Sequence, residues 1–369
     1  MKPLISVGAN IYRLRKELRL TQDDLALFLG VTKASVSKWE TGQSYPDIEL
    51  LPRIATYFDV TVDSLMGYEP QMSKAGIARK CAQLRAAFAS EPFEDVHAQC
   101  QALVRDYYSC YPLLVQIAAL YVNHANLAGE AAQRKLFDES LDICRRVRRN
   151  SNSSADIEMA EGIEAAVLLI IGKPQDAVDL LSDAAKVDVG ADLLLANAYG
   201  ALGQVDEADK VLQSALFQSL AIDANRLAQL AMLHAADSGK LATIHERTLA
   251  LIKAFDLESV FLNCAAVHLT FAMAYLMAGS ASSALDCLED YVGACRKLEF
   301  PLQLHGDDFF DKLETWLEEA VVTGTSLPRD EVLVKRSLLE SVSTNPAFAS
   351  LADDARFKCI VANLEEIAR

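Results

Sequence analysis

Residues 21–40, TQDDLALFLGVTKASVSKWE, decide how the first part of this chain folds. Leu25, Ala26 and Leu29 fall at helical spacing behind Thr21, whose hydroxyl is suited to accept the first free amides of a helix. Gly30 predicts the end of that helix, because a residue without Cβ enters the left-handed region at no steric cost. Thr32 predicts the cap of a second helix in which Val36 and Trp39 share one face, leaving Lys33, Ala34, Ser37 and Lys38 on the other. A short helix, a tight turn and a second helix is the helix-turn-helix layout. The outward groups, small or basic, can lie against a groove without steric conflict.

Working outward, Ile11, Leu14 and Leu18 predict a preceding helix. Beyond Thr41-Gly42-Gln43-Ser44-Tyr45-Pro46, a fourth helix carries Leu50, Leu51, Ile54 and Phe58, and a fifth segment, residues 60–66, closes a small core. The stretch LRKELRLTQDDLALFLGVTKASVSKWETGQSYPDIELLPRIATYFDVTVDSLMG, residues 14–67, resembles the phage-repressor (XRE, Cro/C1-type) DNA-binding domain through almost its whole length. That resemblance implies that Gln22 contacts a phosphate of double-stranded DNA. It also implies that Lys33, Ala34, Ser35 and Lys38 face bases or backbone in the major groove, with Ser37, Gln43 and Ser44 near the flanking phosphates. Thr32 belongs to the same DNA-facing set, and Arg15 and Glu40 occupy the positions of a family ion pair. Many relatives carry a long polar side chain where Ala34 stands, so direct base readout is expected to be sparse, limited there to an apolar contact such as a thymine methyl.

The composition places the rest. With 369 residues, 51% hydrophobic and 23% charged, the chain is globular, and only 16 Gly and 10 Pro interrupt it, which excludes disordered and collagen-like classes. No proline occurs between Pro174 and Pro301, and Ala and Leu dominate there, which predicts helix. Eight basic and eight acidic residues fall before residue 67, so the formal charge of −16 lies entirely in the remainder. A neutral head, basic toward its beginning, thus joins an acidic body that should repel nucleic acid. Domains are expected at 1–67 and 74–369, with 68–73 as linker.

The body repeats. Leu168, Gly172, Ala177, Leu181 and Ala184 recur 31 residues later as Tyr199, Gly203, Ala208, Leu212 and Ala215, and a third copy is Tyr275, Gly279, Ala284, Leu288 and Tyr291. A large residue, a glycine turn and a small residue at the crossing suit antiparallel helix pairs. The pattern resembles the tetratricopeptide repeat, most closely at residues 191–216, with a degenerate copy at 226–255 around Gly239. Further pairs are expected from Ser73 to about Asn150, and a capping segment to Arg369. The fold class is therefore all-α, a five-helix DNA-binding head followed by a right-handed α-solenoid. By repeat register, Gly162, Ala166, Leu169, Ile170, Leu193, Gly200 and Leu233 line a concave face. On it Asn197, Arg226, Gln229, Leu269, Met273, Leu276 and Met277 are candidates to hold a ligand, the amides for a peptide backbone and Met and Leu for its side chains. The alternative is that these Leu and Met residues are core.

Other features point away from chemistry. The eight cysteines include no pair at metal or redox spacing and read as buried, reduced thiols. The six histidines show no metal-binding spacing, no nucleotide or nucleophile motif occurs, and neither a cofactor nor enzyme activity is expected. Arg145-Arg146-Val147-Arg148-Arg149 suits the dipole at a helix C-terminus better than DNA. Phe261 to Gly279 is apolar but interrupted by Asn263, His268 and Thr270, which favours a buried helix over a membrane span. The first residues lack a secretory pattern, so a cytoplasmic location is expected. Head and body together resemble, at the level of architecture, the bacterial peptide-pheromone receptors (the RRNPP group). That implies a homodimer on a near-palindromic operator, governed by a peptide or small-molecule effector. The competing expectation is a repeat domain that serves only as a protein-interaction scaffold.

Overall fold

The computed structural model describes residues 6–68, 71–182, 190–260 and 264–369. The linker residues Glu69 and Pro70, the repeat position Ala184, and Phe261 and Asn263 lie outside them. The described residues are all-α and contain no strand. They divide between Met72 and Ser73 into two compact units.

The first unit holds α1 (Val7–Glu17), α2 (Gln22–Leu29), α3 (Lys33–Glu40), α4 (Leu51–Tyr57) and α5 (Val62–Met66), with a short 3₁₀ turn at Ile48–Leu50 leading into α4. Val36 and Trp39 of α3, Leu25 and Leu29 of α2, and Ile11 and Leu14 of α1 meet in one core closed by Ile54 and Leu65. Leu18 does not join it. The first helix ends at Glu17 and Arg19 turns into the left-handed region, so Leu18 is 54% exposed. The first helix also starts four residues before Ile11, and there Gly8 has no room for a side chain. A methyl at Gly8 would collide with the Trp39 carbonyl, so glycine sets the close approach of α1 to α3.

The second unit begins with α6 (Lys74–Ser90), α7 (Phe93–Asp106), α8 (Tyr111–His124), α9 (Glu130–Asn150), α10 (Ser154–Ile170) and α11 (Pro174–Leu181). It continues with α12 (Ala191–Ala201), α13 (Val205–Leu233), α14 (Ser238–Ala254), α15 (Leu257–Val260), α16 (Cys264–Met277) and α17 (Ala281–Arg296), and ends with α18 (Leu313–Ala320), α19 (Glu331–Ser343) and α20 (Ala355–Ala368). Sequential neighbours pack as pairs: α6 on α7, α8 on α9, α10 on α11, α12 on α13, α16 on α17 and α19 on α20. The repeated glycines Gly172, Gly203 and Gly279 all stand in the left-handed region between the two helices of a pair.

Burial differs among the copies. Leu288 is fully buried, whereas Leu181 and Leu212 at the equivalent positions are more than a third exposed. The degenerate copy does not begin as a separate pair, because α13 runs unbroken for 29 residues and joins the second helix of one copy to the first of the next. Nothing from Phe217 to Arg226 can break a helix, since neither Gly nor Pro occurs there. One large core spans α13 to α20, with Phe271, Leu288, Tyr291 and Phe348 at its centre, and a smaller one joins α9, α10 and α11. His268 and Phe271 of α16 are buried, and no helix among the described residues is long and apolar enough to cross a membrane. Seven cysteines are buried, and burial pushes the Cys81 thiol up to about 11 and that of Cys100 up to about 12. Cys359 departs from the expectation and is exposed, because it sits on the outer side of α20.

Candidate nucleic-acid interface

Two capped helix starts fix the helix-turn-helix. The Thr21 hydroxyl accepts from the Asp24 amide at 3.1 Å while the Asp24 carboxylate accepts from the Thr21 amide at 2.7 Å, a reciprocal capping box. The Thr21 amide foremost, and then the Thr21 hydroxyl, which also donates to the Asp24 carboxylate at 2.7 Å, hold that carboxyl below its ordinary range. Gly30 ends α2 in the left-handed region, and Val31 carries the chain into Thr32, whose hydroxyl accepts from the Ser35 amide at 3.2 Å. The Thr32 and Ser35 hydroxyls lie 2.9 Å apart, so these two predicted DNA-facing groups are first of all the cap of α3.

Glu40, the last residue of α3, ties three elements together. Arg15 donates through Nε at 2.7 Å to one carboxylate oxygen and through Nη2 at 2.9 Å to the other, a two-pronged pair whose side chains are only 6% and 3% exposed. The remaining Arg15 nitrogen donates to the Leu20 carbonyl at 2.7 Å. Gln22 adds a third donor to Glu40, its Nε2 lying 2.8 Å from Oε2. Burial by itself would push the Glu40 carboxyl up, but the hydrogen bonds from Arg15 and Gln22 outweigh it and hold the carboxyl below the usual range. Gln22, half-buried at the start of α2, is thus oriented by α3.

On the outward side of α3, Lys33, Ala34 and Lys38 are exposed, and Ser35 and Ser37 are half-buried. Lys33 reaches back across the turn to Asp23 at 2.7 Å, and both partners are more than half exposed. An exposed pair of this kind is worth about 0–1 kcal/mol, so it orients the ammonium without binding it firmly. The amides of Gln43 and Ser44 both donate to the Lys38 carbonyl, at 2.8 and 3.3 Å, and pin their exposed side chains just beyond the end of α3. The Asp23 contact was not legible in the sequence, because it depends on the angle at which α2 meets α3.

The candidate ligand residues fall into separate environments. Arg226 and Gln229 of α13 line one open, mostly apolar groove with Ile222, Leu230 and Leu233, and Arg226 is paired with Asp223 at 2.8 Å. Leu269, Met273 and Leu276 of α16 are half-buried and pack on the large core, Met277 is exposed, and Asn197 is exposed on α12. None of these five lines the groove with Arg226. The basic run at the end of α9 is engaged inside the body. Arg145 and Arg148 bind the buried Glu164 carboxylate of α10 at 3.1 and 2.9 Å, and Arg146 lies 4.0 Å over the Tyr108 ring.

Residues 11–65 match the helix-turn-helix family HTH_3, and the first unit is a helix-turn-helix domain. The chain is 40% identical over 65 residues to the HTH-type transcriptional activator BcrR of Enterococcus faecalis, a match covering 18% of this chain and 32% of that protein. It is 35% identical over 57 residues to the uncharacterized HTH-type transcriptional regulator YqaE of Bacillus subtilis, covering 15% of this chain and 49% of that one. The chain therefore spans from a third to a half of the length of these curated relatives. Among solved structures, the apo form of the competence regulator ComR from Streptococcus vestibularis aligns over 86% of this chain and 98% of its own, at 15% identity and a TM-score of 0.28. Apo ComR from S. thermophilus aligns over 80% and 95%, at 13% identity and the same TM-score.

Proposed function

We propose that the chain is a sequence-specific, DNA-binding transcriptional regulator that acts in the cytoplasm as a homodimer on a near-palindromic operator. The observation that carries this reading is the clamp on α3. Arg15 and Gln22 lock Glu40, and Lys33, Ala34 and Lys38 are left exposed, away from the face that buries Val36 and Trp39. A helix held in this way can enter the major groove with Lys33 and Lys38 reaching guanine acceptors or phosphates, while Gln22, Ser37, Gln43 and Ser44 hold the backbone on either side. Dimerisation follows from the size of the head, since one such helix contacts too few base pairs for useful specificity and two heads a helical turn apart read a near-palindrome.

The body is proposed to sense a peptide or small molecule and to govern the dimer. The Arg226–Gln229 groove supports that role, because it offers two amides, Asn225 and Gln229, and a guanidinium on an otherwise apolar wall. Selection of bound fragments from a random duplex library, followed by fluorescence anisotropy, tests the central claim. Enrichment of one near-palindrome over random DNA supports it, and recovery of unrelated sequences alone overturns it. A second reading, in which the body is a protein-interaction scaffold, is favoured by one observation: Leu193, Leu194, Leu202 and Val205 of the α12–α13 pair are all more than half exposed. Native mass spectrometry of the protein from its own host separates the two readings, by a retained small mass or by a second polypeptide.

A further inference from the structure

Within the body, α13 is apolar on two sides. Phe217, Leu220, Ala224, Ala228 and Ala231 face the large core. On the other side Leu212, Leu216, Ile222 and Leu230 are each more than a third exposed, and Leu233 is 80% exposed. Along that outer side Leu216, Ser219, Asp223, Arg226, Leu230 and Leu233 succeed one another in alternating steps of three and four, the period of a coiled-coil seam, over about 26 Å of helix. No neighbouring helix contributes a wall to its second half, because every residue lining the shallow groove there, from Ile222 to Leu233, belongs to α13. A helix apolar on both sides is ordinarily covered on both.

The charges on the seam select its partner. Histidine aside, the sequence between Lys210 and Asp237 holds two charged residues, Asp223 and Arg226, although the whole chain carries −16. This stretch is where two acidic bodies meet with least repulsion. We propose that α13 packs antiparallel against α13 of a second copy, about a two-fold axis that passes between Asp223 and Arg226. Each Asp223 carboxylate then faces the partner's Arg226, each Leu216 the partner's Leu233, and each Ser219 the partner's Leu230, so one set of side chains supplies both halves of every layer. A parallel pairing would instead set like charges face to face. Within one chain Asp223 and Arg226 lie 2.8 Å apart and both are more than half exposed, a weak pair that can exchange for two pairs across the axis. The inference rests on the homodimer reading above and names its surface. Arg226, Gln229 and Leu230 also line the groove offered to an effector, so ligand and partner compete for one face.

Sedimentation velocity of the full chain without DNA, at tens of micromolar, tests it. A dimer is expected, and Leu230→Glu with Leu233→Glu should convert it to monomer while circular dichroism shows the helical content retained. Asp223→Lys puts a cation opposite the partner's Arg226, and Arg226→Glu puts an anion opposite the partner's Asp223. Each variant alone should therefore dissociate about tenfold more readily, or more. An equimolar mixture of the two should regain the dimer as a mixed species. Within each of those chains positions 223 and 226 still carry like charges, so recovery reports pairing between copies and not a steadier helix. A wild-type dimer untouched by these variants, or a mixture no tighter than its components, overturns the α13 surface and leaves the homodimer reading standing. A wild-type monomer overturns the surface as well, and the homodimer reading falls with it only if the chain also binds DNA as a monomer. A peptide or second polypeptide retained by the wild type and lost from the Leu230→Glu/Leu233→Glu variant gives the seam to another occupant and overturns the proposal.

Discussion

Gln22 and Glu40, eighteen residues apart, are joined by a hydrogen bond of 2.8 Å from the glutamine Nε2 to the carboxylate Oε2 that also receives Arg15. The first residue of one helix is therefore aimed by the last residue of the next. A group proposed to hold DNA and the ion pair that orders the head are parts of one network.

Removing one member of that network should cost more than removing the charged pair together. Glu40→Ala leaves the Arg15 guanidinium buried and unpaired, and is expected to destabilise the head by about 3–5 kcal/mol. The double variant Arg15→Met with Glu40→Leu should recover most of that loss while still binding DNA more weakly, since Gln22 is no longer aimed. Urea unfolding with parallel DNA titrations reads both effects, and equal destabilisation by the single and double variants would count against the clamp.

The same carboxylate sets an acid limit for the head. Its folded pKa is lowered, so its contribution is complete above the usual carboxylate range and is lost as pH falls through the lowered value. Thermal midpoints of the wild-type head transition should drop more steeply below about pH 5 than those of the Arg15→Met/Glu40→Leu variant.

A second acid-sensitive device lies in the body. His124 is fully buried, stacks on Phe88 at 4.3 Å and donates through Nδ1 to the Leu120 carbonyl at 2.8 Å. Burial lowers its pKa from 6.5 to about 4. A neutral imidazole is thus favoured by folding, so its contribution, on the order of 3 kcal/mol, is complete above about pH 6.5 and lost as pH falls toward about 4. His124→Leu should flatten the fall in the body's thermal midpoint over that interval, and an unchanged slope would assign the acid sensitivity elsewhere.

Gly8→Ala places a methyl against the Trp39 carbonyl, a backbone atom that cannot rotate away. Destabilisation at the upper end of about 1–3 kcal/mol is expected. Circular dichroism melting of the full chain checks it, and a midpoint indistinguishable from wild type would show that α1 shifts freely.

Lys33→Ala with Lys38→Ala should weaken operator binding by several kcal/mol and reduce the slope of log K against log salt by about two, because each lysine neutralises one phosphate. The melting curve should be unaffected, because both side chains are exposed and the Lys33–Asp23 pair contributes little. Unchanged DNA affinity and salt slope would remove α3 from the interface.

Much of this was legible in the sequence. The spacing of Leu25, Leu29, Val36 and Trp39, the caps at Thr21 and Thr32 and the stop at Gly30 determine the helix-turn-helix, because caps and periodicity act within one helical turn of their own residue. The glycine turns at 172, 203 and 279 were legible for the same reason. What the tertiary structure alone decided is every relationship that depends on how helices meet: the aim of Gln22 by Glu40, the return of Lys33 to Asp23, the need for glycine at position 8, and the capture of Arg145 and Arg148 by Glu164. It also decided that α13 runs straight through two expected copies and that Leu269 and Met273 belong to the core while Arg226 and Gln229 line a groove. Sequence spacing fixes which face of a helix a residue occupies. Only packing fixes what that face meets.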